Sequence, residues 1–166
     1  TRRTATYPAD VLEKTKANAT EVELVESGNG LKNYKTATPF PMPQNGLEVI
    51  FNHITRYRGG SFTRNVAQVT PQPNGDFSPV RFTESFTERV ALEDFDPSED
   101  PNVMFYFKQA ITAPSRLVGN VLLVHETINQ VKEPRRAWLY NSGQRRVRRA
   151  PNVAYDGPGT AADGQR

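Results

Sequence analysis

A mainly β fold, an antiparallel sheet with one or few short helices, is expected of this 166-residue chain on three grounds. Its 13 prolines and 11 glycines break the chain too often for a helical protein. Apolar residues recur at every second position through successive segments, the period of a strand with one covered face. Short clusters of turn-forming residues join those segments. With 36% hydrophobic and 10% aromatic residues the chain can bury an ordered core, and its length suits one domain.

Residues 1–46 read as a lead-in. Pro8-Ala9-Asp10 opens one short helix through Val11, Leu12 and Ala17, with Asp10 placed to favour its N-terminus. Pro39-Phe40-Pro41-Met42-Pro43 lacks the donors of a helix or interior strand, so it predicts a rigid extended arm that lays Phe40 and Met42 on another element. Residues 47–150 form the sheet. Leu47, Val49, Phe51, His53 and Tyr57 share one face of a first strand, and Arg58-Gly59-Gly60-Ser61 supplies a hairpin turn into Phe62–Thr70. Pro71–Asp76 turns again. Val80, Phe82, Phe86, Val90 and Leu92 then alternate with polar residues, interrupted by Glu84 and Glu88.

Asp94–Pro101 is an acidic loop that lacks the ordered oxygen ligands and glycine of a calcium-binding loop. Val103, Phe105, Phe107 and Ile111 mark a further strand. Leu117–Ile128, apolar on both faces, suits a central one. The last hairpin runs through Arg136–Tyr140, turns at Asn141-Ser142-Gly143 and returns through Arg145–Arg149, for about seven strands in all. Residues 151–166 are an irregular tail.

The net charge of +3 is unevenly spread. Lys132–Arg149 holds seven basic residues against Glu133 alone, so the rest of the chain is net acidic. Arg135, Arg136, Arg145, Arg146, Arg148 and Arg149 offer forked donors suited to carboxylates, phosphates or aromatic faces. Alternation along the returning strand sends arginines to both sides. On a buried side they need carboxylates, for which Glu84, Glu88 and Glu126 are the internal candidates; on an open side they suit an anionic headgroup or a partner's acidic patch. The run is short and the overall charge low, so nucleic acid is not an expected partner.

Zero cysteines remove disulfides, thiolate nucleophiles and sulfur-ligated zinc. No apolar run reaches the roughly 20 residues of a membrane-spanning helix. No cofactor motif is present, since the Gly59-Gly60 turn joins two strands and not a strand and a helix. His53 and His125 are the neutral-pH bases available, each within an alternating strand where a hydrogen-bonded structural histidine is the commoner outcome.

The run Arg136-Ala-Trp138-Leu-Tyr140-Asn-Ser-Gly143-Gln-Arg145-Arg146-Val-Arg148-Arg149-Ala-Pro151, continued by Ala154-Tyr155-Asp156, resembles a family of Gram-negative proteins. These carry domain of unknown function 1329 and are described as outer-membrane lipoprotein-sorting proteins. Pro39–Pro43, Asn52–Gly59, Pro114–Gly119 and Leu122–Glu126 support the match, which spans nearly the whole chain. The resemblance implies export to the periplasm, with a signal peptide in the precursor. It also implies a LolA/LolB-like half-barrel, strongly curved, lined by apolar residues and covered by helices. Family members are longer, so this chain is expected to be the N-terminal part of a longer protein and the half-barrel incomplete. No catalytic residues come with the resemblance.

The expected function is a noncatalytic carrier or chaperone for lipoproteins or other lipidic molecules destined for the outer membrane. Phe51, Phe86, Phe105, Phe107, Leu123 and Trp138 would line its apolar side; Arg145, Arg146, Arg148 and Arg149 would hold a headgroup or a partner, including a membrane surface. The alternatives are an adaptor subunit of an envelope transport assembly that uses the arginine face, and an enzyme whose pocket converges on His53 or His125.

Overall fold

The computed structural model describes residues 6–96, 98 and 102–150. The chain divides into two compact units. One takes in the described residues up to Gly59 together with Ile128–Glu133; the other runs from Gly60 to Thr127 and resumes at Pro134. Among the described residues no helix is long and apolar enough to cross a membrane.

The first unit contains helix α1 (Ala9–Glu21), a two-stranded sheet of β1 (Glu23–Val25) and β2 (Gly30–Lys32), and helix α2 (Gly46–Ile54). Asp10 sits in the first turn of α1, paired with Lys14 at 3.1 Å. Asn18 of the same helix is buried. Its amide donates to the carbonyls of Lys35 at 2.7 Å and Thr38 at 3.2 Å and accepts from the Lys35 N–H at 3.0 Å, which fixes the path into the proline arm. The arm is then clamped by Asn52, which accepts from the Phe40 N–H at 2.9 Å and donates to the Phe40 carbonyl at 2.6 Å. Phe40 is half-buried, but Met42 is 81% exposed.

The segment expected as a first strand is helix α2, and the hairpin at Gly59-Gly60 does not form. Leu47, Ile50, Phe51 and Ile54 fit a helical stripe, while Leu47, Val49 and Phe51 fit a strand face, and the capping residues decide between the two. Asn45 Oδ1 accepts from the Glu48 N–H at 3.1 Å, while the Glu48 carboxylate accepts from the Gln44 N–H at 2.6 Å and from Asn45 Nδ2 at 2.8 Å. This reciprocal capping box satisfies donors that an extended chain would leave to water. Gly59 and Gly60 still take positive φ, +102° and +74°, but in the connection from α2 to the sheet.

The second unit is an antiparallel six-stranded sheet in chain order: β3 (Ser61–Pro71), β4 (Phe77–Glu88), β5 (Val103–Ala113), β6 (Val121–Thr127), β7 (Arg136–Asn141) and β8 (Arg146–Arg149). The Pro71–Asp76 segment makes the expected turn, closed by Gln72 N–H to Asp76 O at 2.8 Å with Gly75 at φ +86°. β4 ends at Glu88, where Arg89–Ala91 winds into a 3₁₀ turn, so Val90 and Leu92 are not strand residues. Register shifts between Arg81 and Phe82 and between Val103 and Phe105 mark bulges that bend the sheet locally. The described strands form an open sheet, not a closed barrel. Val80, Phe82 and Ile111 form its core cluster, with Val66 and Leu117 packed against them.

Candidate functional site

The six-stranded sheet has two unlike faces. On one, Val80, Phe82, Glu84, Phe86 and Glu88 of β4 are all buried. Cross-strand register adds Phe62, Arg64 and Val66 from β3 and Phe105, Phe107, Gln109 and Ile111 from β5. Leu122, Val124, Glu126, Ala137, Leu139, Arg146 and Arg148 follow from β6 to β8. The phenylalanines touch in sequence: Phe62 stacks on Phe86 at 5.1 Å between centroids, and Phe86 meets Phe105 at 4.8 Å.

Carboxylates on this covered face must be neutralised, because a buried unpaired charge costs several kcal/mol. Glu84 accepts from Arg64 Nε, directly across on β3, and from Gln109 Nε2 at 3.4 Å on β5. Glu126 accepts from Arg135 Nε at 2.7 Å. These pairings correct the expectation that the returning strand feeds arginines to Glu84 and Glu126. Arg146, Val147, Arg148 and Arg149 are exposed, since β8 is the last described strand, and Arg145 lies in the turn at φ +52°. Arg148 donates to Gln144 Oε1 at 2.9 Å. Among the described residues no carboxylate oxygen lies within 4.0 Å of Arg145, Arg146, Arg148 or Arg149.

The five expected lining residues that belong to the sheet do not share one face. Phe86, Phe105 and Phe107 share the covered face, Leu123 and Trp138 project from the opposite face, and Phe51 belongs to α2. An open cleft of about 170 Å³ lies instead at the ends of β5, β6 and β7, lined by Gln109, Ile111, Asn120, Val121, Leu122, Leu139, Tyr140 and Asn141. It is smaller than the roughly 300–1,000 Å³ of a typical small-molecule pocket. Arg148 stands directly across from Leu139, and Arg146 across from Asn141, which sets two exposed guanidinium groups on the neighbouring strand.

The histidines have different surroundings. His53, near the C-terminus of α2, neighbours Arg56, which donates to the His53 carbonyl at 2.7 Å. His125 lies between Tyr106 and Trp138, edge to face with each at 4.7 Å. In the acidic loop, Ser98 donates to Asp96 through its N–H at 2.8 Å and its hydroxyl at 2.7 Å, which holds that carboxyl below the usual carboxylate range. The rest of that loop, with the tail from 151, lies largely outside the described residues.

All 166 residues match the family model described as protein of unknown function (DUF1329). The chain belongs to this family. It is also 69% identical, over its full length, to the uncharacterized protein PA3922 of Pseudomonas aeruginosa, and spans 36% of that protein. No solved structure matches the chain.

For this DUF1329 chain, several site-building residues escaped the reading of the sequence. Asn120 Oδ1 accepts from the Ser142 N–H at 3.0 Å and from the Ser142 hydroxyl at 3.3 Å, tying the β7–β8 turn to the mouth of the cleft. Nothing marks Asn120 in sequence except its place after Gly119, which takes φ +82° and whose lack of a side chain leaves room for Ser142, 3.1 Å from where a Cβ would sit. Arg64 was equally hidden: it reads as the polar residue of an alternating strand, and register alone sets it opposite Glu84.

Proposed function

We propose that this chain is part of a noncatalytic periplasmic carrier or chaperone for lipoproteins or other lipidic molecules destined for the outer membrane. The observation that carries the reading is an apolar cleft, floored by Ile111, Leu122 and Leu139, with Arg146 and Arg148 beside it on the same sheet face. Apolar surface favours acyl chains by about 0.8 kcal/mol per buried methylene, and guanidinium groups at its margin suit an anionic headgroup. The small cleft fits the first methylenes next to a headgroup better than a whole chain. Native mass spectrometry of the full-length protein under lipid-preserving conditions tests this. Bound lipid is expected, reduced by Leu139→Glu; repeated absence of lipid from the full-length protein would overturn the carrier.

A second reading, an adaptor in an envelope transport assembly, is favoured by β8 itself. This strand has a partner on one side only among the described strands and exposes all four of its residues, three of them arginine. Such an edge suits an acidic extended partner. Here Arg146→Ala with Arg148→Ala would weaken assembly while leaving lipid content unchanged.

A further inference from the structure

The opposite face of the six-stranded sheet is independent of that reading and has its own chemistry. Its strand residues form rows across the sheet. One row runs Thr63, Ser85, Lys108, Leu123, Trp138 and Arg149; another runs Ser61, Thr87, Tyr106, His125 and Arg136. Thr63, Lys108 and Arg149 are exposed, and Ser85, Leu123, Trp138, Thr87, Tyr106 and His125 are half-buried. Every charged strand residue on this face is a cation, namely Arg81, Lys108, Arg136 and Arg149; the acidic strand residues Glu84, Glu88 and Glu126 all belong to the other face.

A solvated sheet face is ordinarily polar throughout. This one divides in two. The β3–β4 half offers hydroxyl and amide groups, with Thr63 and Ser85 at 3.3 Å and Thr83 donating to Asn65 at 2.9 Å. The β5–β8 half carries the Tyr106, His125 and Trp138 ladder flanked by the cations. Strand spacing of about 4.8 Å puts Lys108 and Arg149, three strands apart, roughly 14 Å from each other with Trp138 between them. Aromatic faces take the less polar side of a pyranose ring, hydroxyl rows take sugar hydroxyls, and the exposed cations Lys108 and Arg149, with no described carboxylate oxygen within 4.0 Å, select acidic substituents.

We propose that this face is a platform for an acidic polysaccharide, sugar rings stacking at Trp138 and Tyr106 with their carboxylates held by Lys108 and Arg149. Single-stranded nucleic acid fits less well: its binding rests on many phosphate contacts along a basic groove, and here the cations are few and half the face is hydroxylic.

Isothermal titration calorimetry of the full-length protein with a polyuronate oligosaccharide, a neutral dextran of matched length and an oligothymidylate tests the assignment. Polyuronate is expected to bind, more weakly as salt rises, and dextran not to bind. Kd should rise at least about tenfold in Trp138→Ala and in the double variant Lys108→Ala/Arg149→Ala. The double variant changes exposed side chains only and should keep the native far-UV circular dichroism, so it decides the matter even if Trp138→Ala fails to fold. Absence of polyuronate binding, an unchanged Kd in the double variant, or tighter binding of oligothymidylate would each overturn the proposal.

Discussion

Glu84 sits at 7% exposure on the covered face, while the side chain of its partner Arg64 is 60% exposed. Water reaches the guanidinium, so the pair is weaker than a fully buried one, and Arg64→Ala should cost about 1.5 kcal/mol, the low end for a charged hydrogen bond. Replacing both partners by apolar residues removes the desolvation penalty with the charges, so the double variant Arg64→Leu/Glu84→Leu is expected to be neutral or stabilising in a thermal melt. The arginines of β8 behave differently. Because they are exposed and pair with no described carboxylate, Arg146→Ala/Arg148→Ala should shift stability by less than about 0.5 kcal/mol. A clear fall in Tm would contradict the placement of β8. At Asp10, the Lys14 hydrogen bond lowers the carboxyl pKa. Its contribution to α1 is therefore present above the unfolded-state pKa and lost as pH falls through the lowered folded value, which an NMR titration of the Asp10 carboxyl would follow.

Helix α2 owes its first turn to a small set of capping contacts. Its cap is Asn45, and Asn45→Ala should destabilise the first unit by about 0.5–2 kcal/mol in urea denaturation, with the loss confined to that unit if the two melt separately. Gly28 joins β1 to β2 at φ +90°, and a methyl group there would come within 2.6 Å of Leu47 Cδ1. Gly28→Ala therefore meets both left-handed strain, about 1–2 kcal/mol, and a clash that Leu47 must relieve by turning. The β3–β4 hairpin was legible in sequence because its turn carries Asn74-Gly75 between two alternating runs. β1 and β2 were not. Strands of three residues contain less than two periods of alternation, and nothing distinguishes them from a loop.

For the molecule as a whole, the sheet of the second unit depends on the cluster around Phe82, which is 4% exposed between Val80 and Ile111. Phe82→Ala should cost about 3–5 kcal/mol through lost burial and the cavity left behind, read as a cooperative loss of β-sheet circular dichroism at lower temperature. The chemistry of this molecule is arranged by face. The covered face gathers the phenylalanines, the paired carboxylates and a cleft; the open face gathers cations, rings and hydroxyls.

Alternation in the sequence determined that this is a mainly antiparallel β protein, located β3 through β8 and identified Glu84 and Glu88 as carboxylates on an apolar face. Period two needs no partner to be read, because side-chain direction along a strand is local. The family followed from the same local evidence, chiefly the arginine run. Which residues stand together was decided in three dimensions. Phe86 and Trp138 are both strand aromatics, yet they lie on opposite faces, because the face a residue occupies depends on the register of every strand between them. The partners of Glu84 and Glu126 were settled the same way: pairing puts Arg64 opposite one, a turn returns Arg135 to the other, and the arginines of β8 are left on the last strand, open to solvent.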